Sequence, residues 1–375
     1  MRVMFDSSAL FHASRGGGVY NYLLKLLPLL SVKVTCDGGR MSFLHLHSRK
    51  EFQPPDFMNA MDVRNFYFPV KLLNRLWIKY EIPDMSLFYK DVDIFHSPHF
   101  SLPVMSKAKK ILTVNDITYL RHPEYFHEAG KKLNEYGYNF LLPTNIRRAD
   151  RIIAISEFTK SDIIEYFKIP EEKISVVHIG CDIPLKLTPE ERSSILAGFG
   201  LIGTEYIYFP AGTLEPRKNI RLTIEAFKKA GIKGMKMVIS GIGDYSWLDR
   251  IAGVDNIQIV RWENENQKNA LFQGAAFVVY PSLYEGFGMP VVEAMGNGKA
   301  VLTSNTTSLK EIADGYAHMV NPEDEEGISQ GVKRIYEDID YRNDLEMKST
   351  VRAEDFTWEK MASQTYDVYK RLLSS

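Results

Sequence analysis

The sequence predicts an α/β protein of two doubly wound, Rossmann-like domains facing a central cleft. Three observations carry this expectation. Short apolar runs alternate with amphipathic segments along the chain, the pattern of a parallel sheet covered by helices. The alternation occurs twice, on either side of an expected inter-domain linker, Cys181–Glu191, that holds Pro184 and Pro189. The length, 375 residues, exceeds one ordinary core at roughly 150 residues per domain.

The elements follow in order. A strand over Arg2–Phe5 leads to the glycine run Gly16–Gly18. Val19, Tyr22, Leu23, Leu26, Leu27 and Leu30 then recur at helical spacing. Further strands are expected at Phe43–His47, Asp93–His96, Ile111–Val114, Ile152–Ile155 and Ile174–His178, with helices over Tyr125–Arg148 and Glu157–Phe167. In the second half the apolar runs are Tyr206–Phe209, Met235–Ser240, Ile257–Val260, Ala276–Tyr280, Ala300–Thr303 and His318–Val320. The helical patterns between them are Ile220–Ala230, Tyr245–Ala252, Glu265–Gln273, Pro290–Gly296 and Asp324–Glu337. Trp358, Met361, Tyr366, Tyr369 and Leu372 mark a last helix. The expected domains are 1–183 and 184–355, with 356–375 packing back on the first. Ligands are expected at the carboxyl ends of the strands.

Composition narrows the function. Hydrophobic content of 45% and charged content of 25% exclude a disordered chain, a fibre and a small disulfide scaffold. The net charge of −1 argues against a nucleic-acid partner held by bulk positive charge. It divides into +4 over residues 1–183, which hold eight of the nine histidines, and −5 over 184–375. Cys36 and Cys181 match no metal spacing and point to a reducing compartment. An early Asp6 and the lack of an apolar run of about 18 residues point to a cytoplasmic protein without a membrane span.

Three loops that follow strands carry residues suited to ligand chemistry. The first is Tyr280-Pro-Ser-Leu-Tyr-Glu-Gly-Phe-Gly-Met-Pro-Val-Val-Glu293. It enters a helix near Pro290, a residue suited to the first turn. Gly286 and Gly288 let backbone approach a ligand, and Glu285 and Glu293 bracket the turn. Carboxylates accept from paired hydroxyls such as those of sugars, and helix N-terminal amides donate. The competing reading has Glu293 complementing the helix dipole and Glu285 solvated. The second loop is Phe209-Pro-Ala-Gly-Thr-Leu-Glu-Pro-Arg-Lys-Asn219, whose Arg217 and Lys218 are adjacent cations at a helix entrance. They suit a diphosphate, or form a solvated pair. The third, Ser240-Gly241-Ile-Gly243, begins a dinucleotide fingerprint, but Ser246 stands where its third glycine belongs. No phosphate-binding loop of the G-x-x-x-x-G-K-[ST] type occurs.

The combination of Gly-Thr-Leu-Glu-Pro-Arg-Lys-Asn and Glu-Gly-Phe-Gly-Met-Pro-Val-Val-Glu resembles the retaining, GT-B fold glycosyltransferases of family four. The resemblance is strongest from Tyr206 to Glu311 and implies specific roles. Arg217 and Lys218 would hold the donor diphosphate and meet negative charge as it leaves. Glu285 would bind hydroxyls of the donor sugar with amides of Gly286, Phe287 and Gly288, and Met289 follows in the same turn. Glu293 would bind the ribose. Gly17 and Gly18 would approach the phosphates, with Gly212, Gly241 and Gly243 as further donor-binding turns. Arg261, before Trp262, would sit near the base, where relatives often have glycine. Asp116, after the strand Ile111–Val114, would orient an acceptor or donor hydroxyl, or cap the next turn. Asn115 stands where many relatives carry histidine, which removes that histidine's role.

The implied reaction moves a hexose from a nucleotide sugar to a glycan or lipid-linked glycan with retention. GDP-mannose is the first donor expectation, a UDP-sugar is possible, and no cofactor is needed. A sugar-nucleotide epimerase, a phosphorylase or a non-catalytic sugar-nucleotide sensor on the same fold is the competing reading. Asp91-Val92-Asp93 is not read as a metal site, because it leads into a strand far from the donor motifs. His45 and His47 share one face of a strand without a third ligand. His96 and His99 read as satisfied structural histidines, or as residues near the cleft. Lys71, Arg75 and Lys79 recur beside Leu72, Leu76, Trp77 and Tyr80, either as a solvated helix face or as peripheral contact with an anionic membrane.

Overall fold

The computed structural model describes residues 1–12, 18–47, 55–127, 137–213, 215–242 and 256–374. Gly16, Gly17, Gly243 and the helix expected over Tyr245–Ala252 lie outside them.

Two parallel sheets organise the chain. The first has strands β1 (Arg2–Asp6), β2 (Arg40–His47), β3 (Asp62–Tyr67), β4 (Ile94–Ser97), β5 (Lys109–Val114), β6 (Arg151–Ala154) and β7 (Ile174–Val176), in the order β3-β2-β1-β4-β5-β6-β7. The second has β8 (Tyr206–Thr213), β9 (Lys236–Ile242), β10 (Ile257–Val260), β11 (Val278–Tyr280), β12 (Val301–Ser304) and β13 (His318–Val320), in the order β10-β9-β8-β11-β12-β13. Each order reverses once, between β1 and β4 and between β8 and β11. Loops from the carboxyl ends of two such neighbours diverge and leave a crevice for a ligand. Strands β4, β11 and β12 are buried along their whole length, which explains their unbroken apolar runs.

Among the described residues ten helices have at least eight residues: α1 (Gly18–Cys36), α2 (Val70–Tyr80), α3 (Glu157–Phe167), α4 (Pro189–Gly198), α5 (Ile220–Ala230), α6 (Glu265–Gly274), α7 (Met289–Gly296), α8 (Glu325–Glu337), α9 (Ile339–Ala353) and α10 (Trp358–Ser374). The chain forms two compact units. One comprises Met1–Leu120, Lys132–Gly180 and Trp358–Ser375, and the other Arg121–Lys131 and Cys181–Thr357.

Several elements differ from the expectation. Strand β3 went unrecognised because Asp62, Arg64 and Asn65 interrupt its apolar residues; it is an edge strand, and Arg64 spends its charge on Asp62 and Asp91 at 3.1 and 2.9 Å. The helix expected over Tyr125–Arg148 is not one element. A four-residue turn at Glu124–His127 belongs to the second unit, and a π-helical turn at Gly137–Leu141 opens Leu142–Arg148 in the first. Periodicity cannot register a chain that passes from one core to another. The stretch Cys181–Glu191 ends earlier than expected as a linker. Thr188 caps α4 with its side chain on the Glu191 amide, and Glu191 returns the bond to Thr188. Helix α9 was missed because only Leu345, Ser349 and Ala353 are buried, too thin a stripe to see.

Helix α10 lies within the first unit. Tyr22, Leu23, Leu26, Leu27 and Leu30 are the buried stripe of α1, and α10 packs on that helix. The Tyr366 hydroxyl donates to Asp37 at 2.6 Å. Tyr369, fully buried, meets Nδ1 of His96 at 2.6 Å, and Nε2 of His96 meets Thr113 at 2.7 Å. Burial pushes His96 down to about 3, so the ring is neutral and its two nitrogens are fully engaged inside the core. His96 is therefore structural. Tyr369→Phe removes one of its partners and should lower unfolding free energy by about 1–3 kcal/mol in urea titrations; an unchanged midpoint would show that the contact adds nothing.

Candidate functional site

The site builds from the two loops that flank the reversal in the second sheet. After β8 the chain makes a single turn at Pro216–Lys218 and reaches Asn219 in the left-handed region, at φ 60°. The side-chain amide of Asn219 donates to the carbonyls of Pro281 and Pro322, at 3.0 and 2.6 Å. The Leu283 amide donates to the Arg217 carbonyl at 2.7 Å. The loop after β8 is thus tied to the loop after β11 through backbone groups, and Arg217, Lys218 and Glu285 are brought together.

Their contacts are short. Lys218 Nζ donates to Glu285 Oε1 and to the Tyr280 hydroxyl, each at 2.6 Å, and that hydroxyl donates to Oε1 at 2.8 Å. Ser282 Oγ lies 2.9 Å from the same oxygen. Arg217 Nη1 donates to Glu285 Oε2 at 2.9 Å, and its Nε to Glu215 Oε2 at 2.7 Å. The Glu285 side chain is only 8% exposed and that of Lys218 7%. Burial alone would raise the Glu285 carboxyl, but the charges of Arg217 and Lys218 outweigh it and hold it at about 2. Two cations and two carboxylates, Glu215 and Glu285, leave the cluster neutral. The solvated alternatives for Glu285 and for the Arg217–Lys218 pair do not hold, since none of the three side chains is more than 15% exposed. Lys218 spends two of its three N–H groups on the cluster, and Oε1 of Glu285 is filled.

The loop after β12 supports this arrangement from below. Ser308 Oγ donates to the Glu285 carbonyl at 2.8 Å, and Ser304 Oγ to the Ser282 carbonyl at 2.6 Å. Gly286 and Phe287 are buried, with the Phe287 ring 5.6 Å from Phe356. Gly288 caps α7 at φ +100°, and a Cβ there would fall 2.4 Å from Leu309 Cδ2; only glycine fits both conditions. Met289 opens α7 and is half-buried. Gly212 and Gly241 face each other at a bulge between β8 and β9, where a Cβ on Gly241 would fall 2.9 Å from the Gly212 carbonyl.

Glu293 lies further along α7, and its Oε1 accepts from Lys268 of α6 at 2.9 Å. Arg261 stands exposed just after β10. In the first unit Gly18 is exposed at the start of α1, and Asp116 follows β5 with Oδ1 accepting from the Thr118 amide at 2.9 Å. That bond is the turn-capping alternative for Asp116. Asp91 and Asp93 are held by Arg64 and Arg2, at 2.9 and 2.6 Å. Among the described residues no group of three or more His, Cys, Asp or Glu side chains could hold a metal ion.

Sequence reasoning missed Glu215, Tyr280, Ser282 and Lys268 as working parts. The first three lie inside the quoted motifs, beside the charged residues that were singled out. Lys268 carries no motif signal, since it lies 25 residues from Glu293 in sequence and meets it only in the folded chain.

Residues 31–184 match the family described as Glycosyltransferase Family 4, and residues 192–351 match Glycosyl transferases group 1. The O-antigen chain mannosyltransferase B of Escherichia coli is 30% identical over 76% of this chain and 75% of its own length. The serotype-specific mannosyltransferase WbdA of Escherichia coli is 28% identical over 78% of this chain, which spans 35% of that longer protein. Anabaena HepE, solved in complex with UDP and glucose, shares the fold with a TM-score of 0.70 at 16% identity, covering 99% of this chain and 100% of that one.

The buried cluster has a pH signature. Glu285 is depressed from 4.5 to about 2, so its stabilisation is complete above about pH 4.5 and lost as pH falls towards 2. The shift corresponds to about 3 kcal/mol. Urea unfolding from pH 2 to 7 should show wild type more stable than Glu285→Gln at neutral pH, the gap closing in that acid window. A constant gap would mean that ionisation of Glu285 does not contribute.

Proposed function

The chain belongs to the GT-B fold glycosyltransferases of family four, and from that premise we propose that it transfers mannose from GDP-mannose with retention of anomeric configuration. The acceptor is a glycan or lipid-linked glycan of a surface polysaccharide. The observation that carries this reading is the buried Arg217–Lys218–Glu285 cluster at the reversal of the second sheet. The relatives named as mannosyltransferases support the choice of sugar.

The second unit takes the donor and the first the acceptor. Arg217 and Lys218 are cations already fixed in place, so they meet the charge of the departing diphosphate without reorganising. Their neutrality with Glu215 and Glu285 in the free protein means that the incoming diphosphate shares them with those carboxylates. Oε2 of Glu285, engaged by Arg217 alone among the bonds above, has a lone pair left for a sugar hydroxyl. Asp116 Oδ2 orients the acceptor hydroxyl, which attacks on the face the diphosphate leaves. No covalent intermediate and no metal ion take part. A UDP-hexose donor is the second reading, favoured by the UDP and glucose in HepE.

The donor is tested by melting temperature and transfer. GDP should raise the melting temperature where equal UDP does not, since a ligand that binds only the folded state stabilises it. Labelled mannose should pass to a lipid-linked acceptor, and Arg217→Ala or Lys218→Ala should lower kcat about 100- to 1000-fold, as loss of a preorganised charge-stabilising group does. Protection by UDP alone overturns the GDP assignment; donor conversion without acceptor points to an epimerase.

A lipid-linked acceptor also calls for a membrane contact, and we place it on α2. Sixteen large hydrophobic residues are exposed among the described ones, and six of them, Tyr67, Leu72, Tyr80, Ile82, Leu87 and Phe88, fall within residues 67–88. Exposed Lys71, Arg75 and Lys79 stand among them on α2, and among the described residues no ion pair engages Lys71 or Arg75. No described helix is long and apolar enough to cross a membrane. At about 1 kcal/mol per basic residue near an anionic surface, three cations are a sizeable attraction. The protein should sediment with phosphatidylglycerol vesicles, not with phosphatidylcholine ones. The triple variant Lys71→Glu, Arg75→Glu, Lys79→Glu should lose at least tenfold in affinity; undiminished binding removes α2 from the contact.

A further inference from the structure

The second carboxylate of the donor motif, half-buried on α7, differs from the first in how it is held. Glu285 has donors on both oxygens. Glu293 has one on Oε1, Lys268 Nζ at 2.9 Å, and Oε2 has no hydrogen-bond partner among the described residues. Lys268 is itself confined: its side chain is 13% exposed, its ammonium also meets Glu265 Oε2 at 2.7 Å, and it stands 5.4 Å from the centre of the Trp262 ring. A flexible four-carbon side chain fixed by two carboxylates and an aromatic face is a positioned group.

We propose that Lys268 is a positioning residue for donor binding, pinning one oxygen of Glu293 so that the other accepts a ribose hydroxyl of the nucleotide. The inference rests on the reading of Glu293 as a nucleotide-sugar ligand. It adds the residue that makes this carboxylate usable and that no sequence motif marks.

The charged groups facing Glu293 decide its state. Burial disfavours the charge on Glu293 most, and the negative Glu265 of α6 and Asp182 of the segment after Gly180 act the same way. Cys181, buried beside them, has its thiol pushed up and stays neutral. Lys268 is the cation that opposes all three effects. The net result is a Glu293 carboxyl above its ordinary value, so it takes up a proton earlier than an exposed glutamate as pH falls. Without Lys268 that uptake moves to still higher pH. A protonated carboxyl offers a poorer acceptor, so donor affinity falls on the acid side.

The test is the pH dependence of the donor KM, measured from pH 5 to 9 with GDP-mannose and UDP-glucose. Lys268→Met and Lys268→Gln should move the acid limb of kcat/KM up by about one pH unit, so that the donor KM rises about tenfold near pH 6 and approaches wild type near pH 9. kcat should change less than KM. Lys268→Arg, which keeps the charge, should restore the wild-type limb. Adding Lys268→Met to Glu293→Gln should have little further effect, because the two residues act as one unit. A KM raised equally at every pH, or an acid limb unmoved in both neutral variants, overturns the proposal. If wild type neither binds GDP or UDP nor transfers sugar, the donor reading itself has failed, and that outcome is seen before any variant is made.

Discussion

A carboxylate with almost no exposure to water organises the second unit. Burying Glu285 without partners would cost several kcal/mol, so the fold must bring cations to it. Arg217 and Lys218 come from a different loop, 68 and 67 residues away in sequence. The two loops can meet only because β8 and β11 are neighbours in the sheet. The Asn219 bonds, the Leu283 amide on Arg217 and the serines after β12 hold the backbone so that this meeting is exact enough for hydrogen bonds of 2.6–2.9 Å. The requirement runs both ways: the carboxylate needs the cations to be buried, and the cations need it to be fixed.

Fixing charges before a substrate arrives is how a site stabilises a departing anion without reorganising itself. The cluster is fixed in this sense, since short hydrogen bonds hold its four charges and those charges cancel. Glu293 represents the opposite strategy. It is held from one side by a single ammonium and keeps an open oxygen. Two carboxylates eight positions apart are therefore held differently, Glu285 through both oxygens and Glu293 through one.

Much of this was legible in the sequence, and for physical reasons. The alternation of apolar runs and amphipathic segments reveals a doubly wound fold because parallel strands are buried on both faces, as in β4, β11 and β12. Gly288, Glu285, Arg217 and Lys218 stand out because a glycine before a helix and charges after apolar strands are conspicuous. The pairing of those charges was not legible. It depends on which strands are neighbours, and a linear reading cannot show that the cations of one loop bond the carboxylate of the other. Lys268 was hidden for the same reason, and the burial of Glu285 was not legible because exposure is a property of packing. Strand β3 and helix α9 escaped because their buried faces are narrow and their charges many.

The contact between Tyr369 and His96 bears on how the chain is made. The first sheet is closed by a helix that leaves the ribosome after the whole of the second unit. During synthesis the leading portion therefore waits, with the imidazole of β4 and the apolar stripe of α1 uncovered, while the later unit already has every one of its strands. A fragment ending near residue 180 inherits that exposed seam permanently, so separating the halves for biochemical work calls for supplying the trailing helix in trans or grafting it onto the fragment.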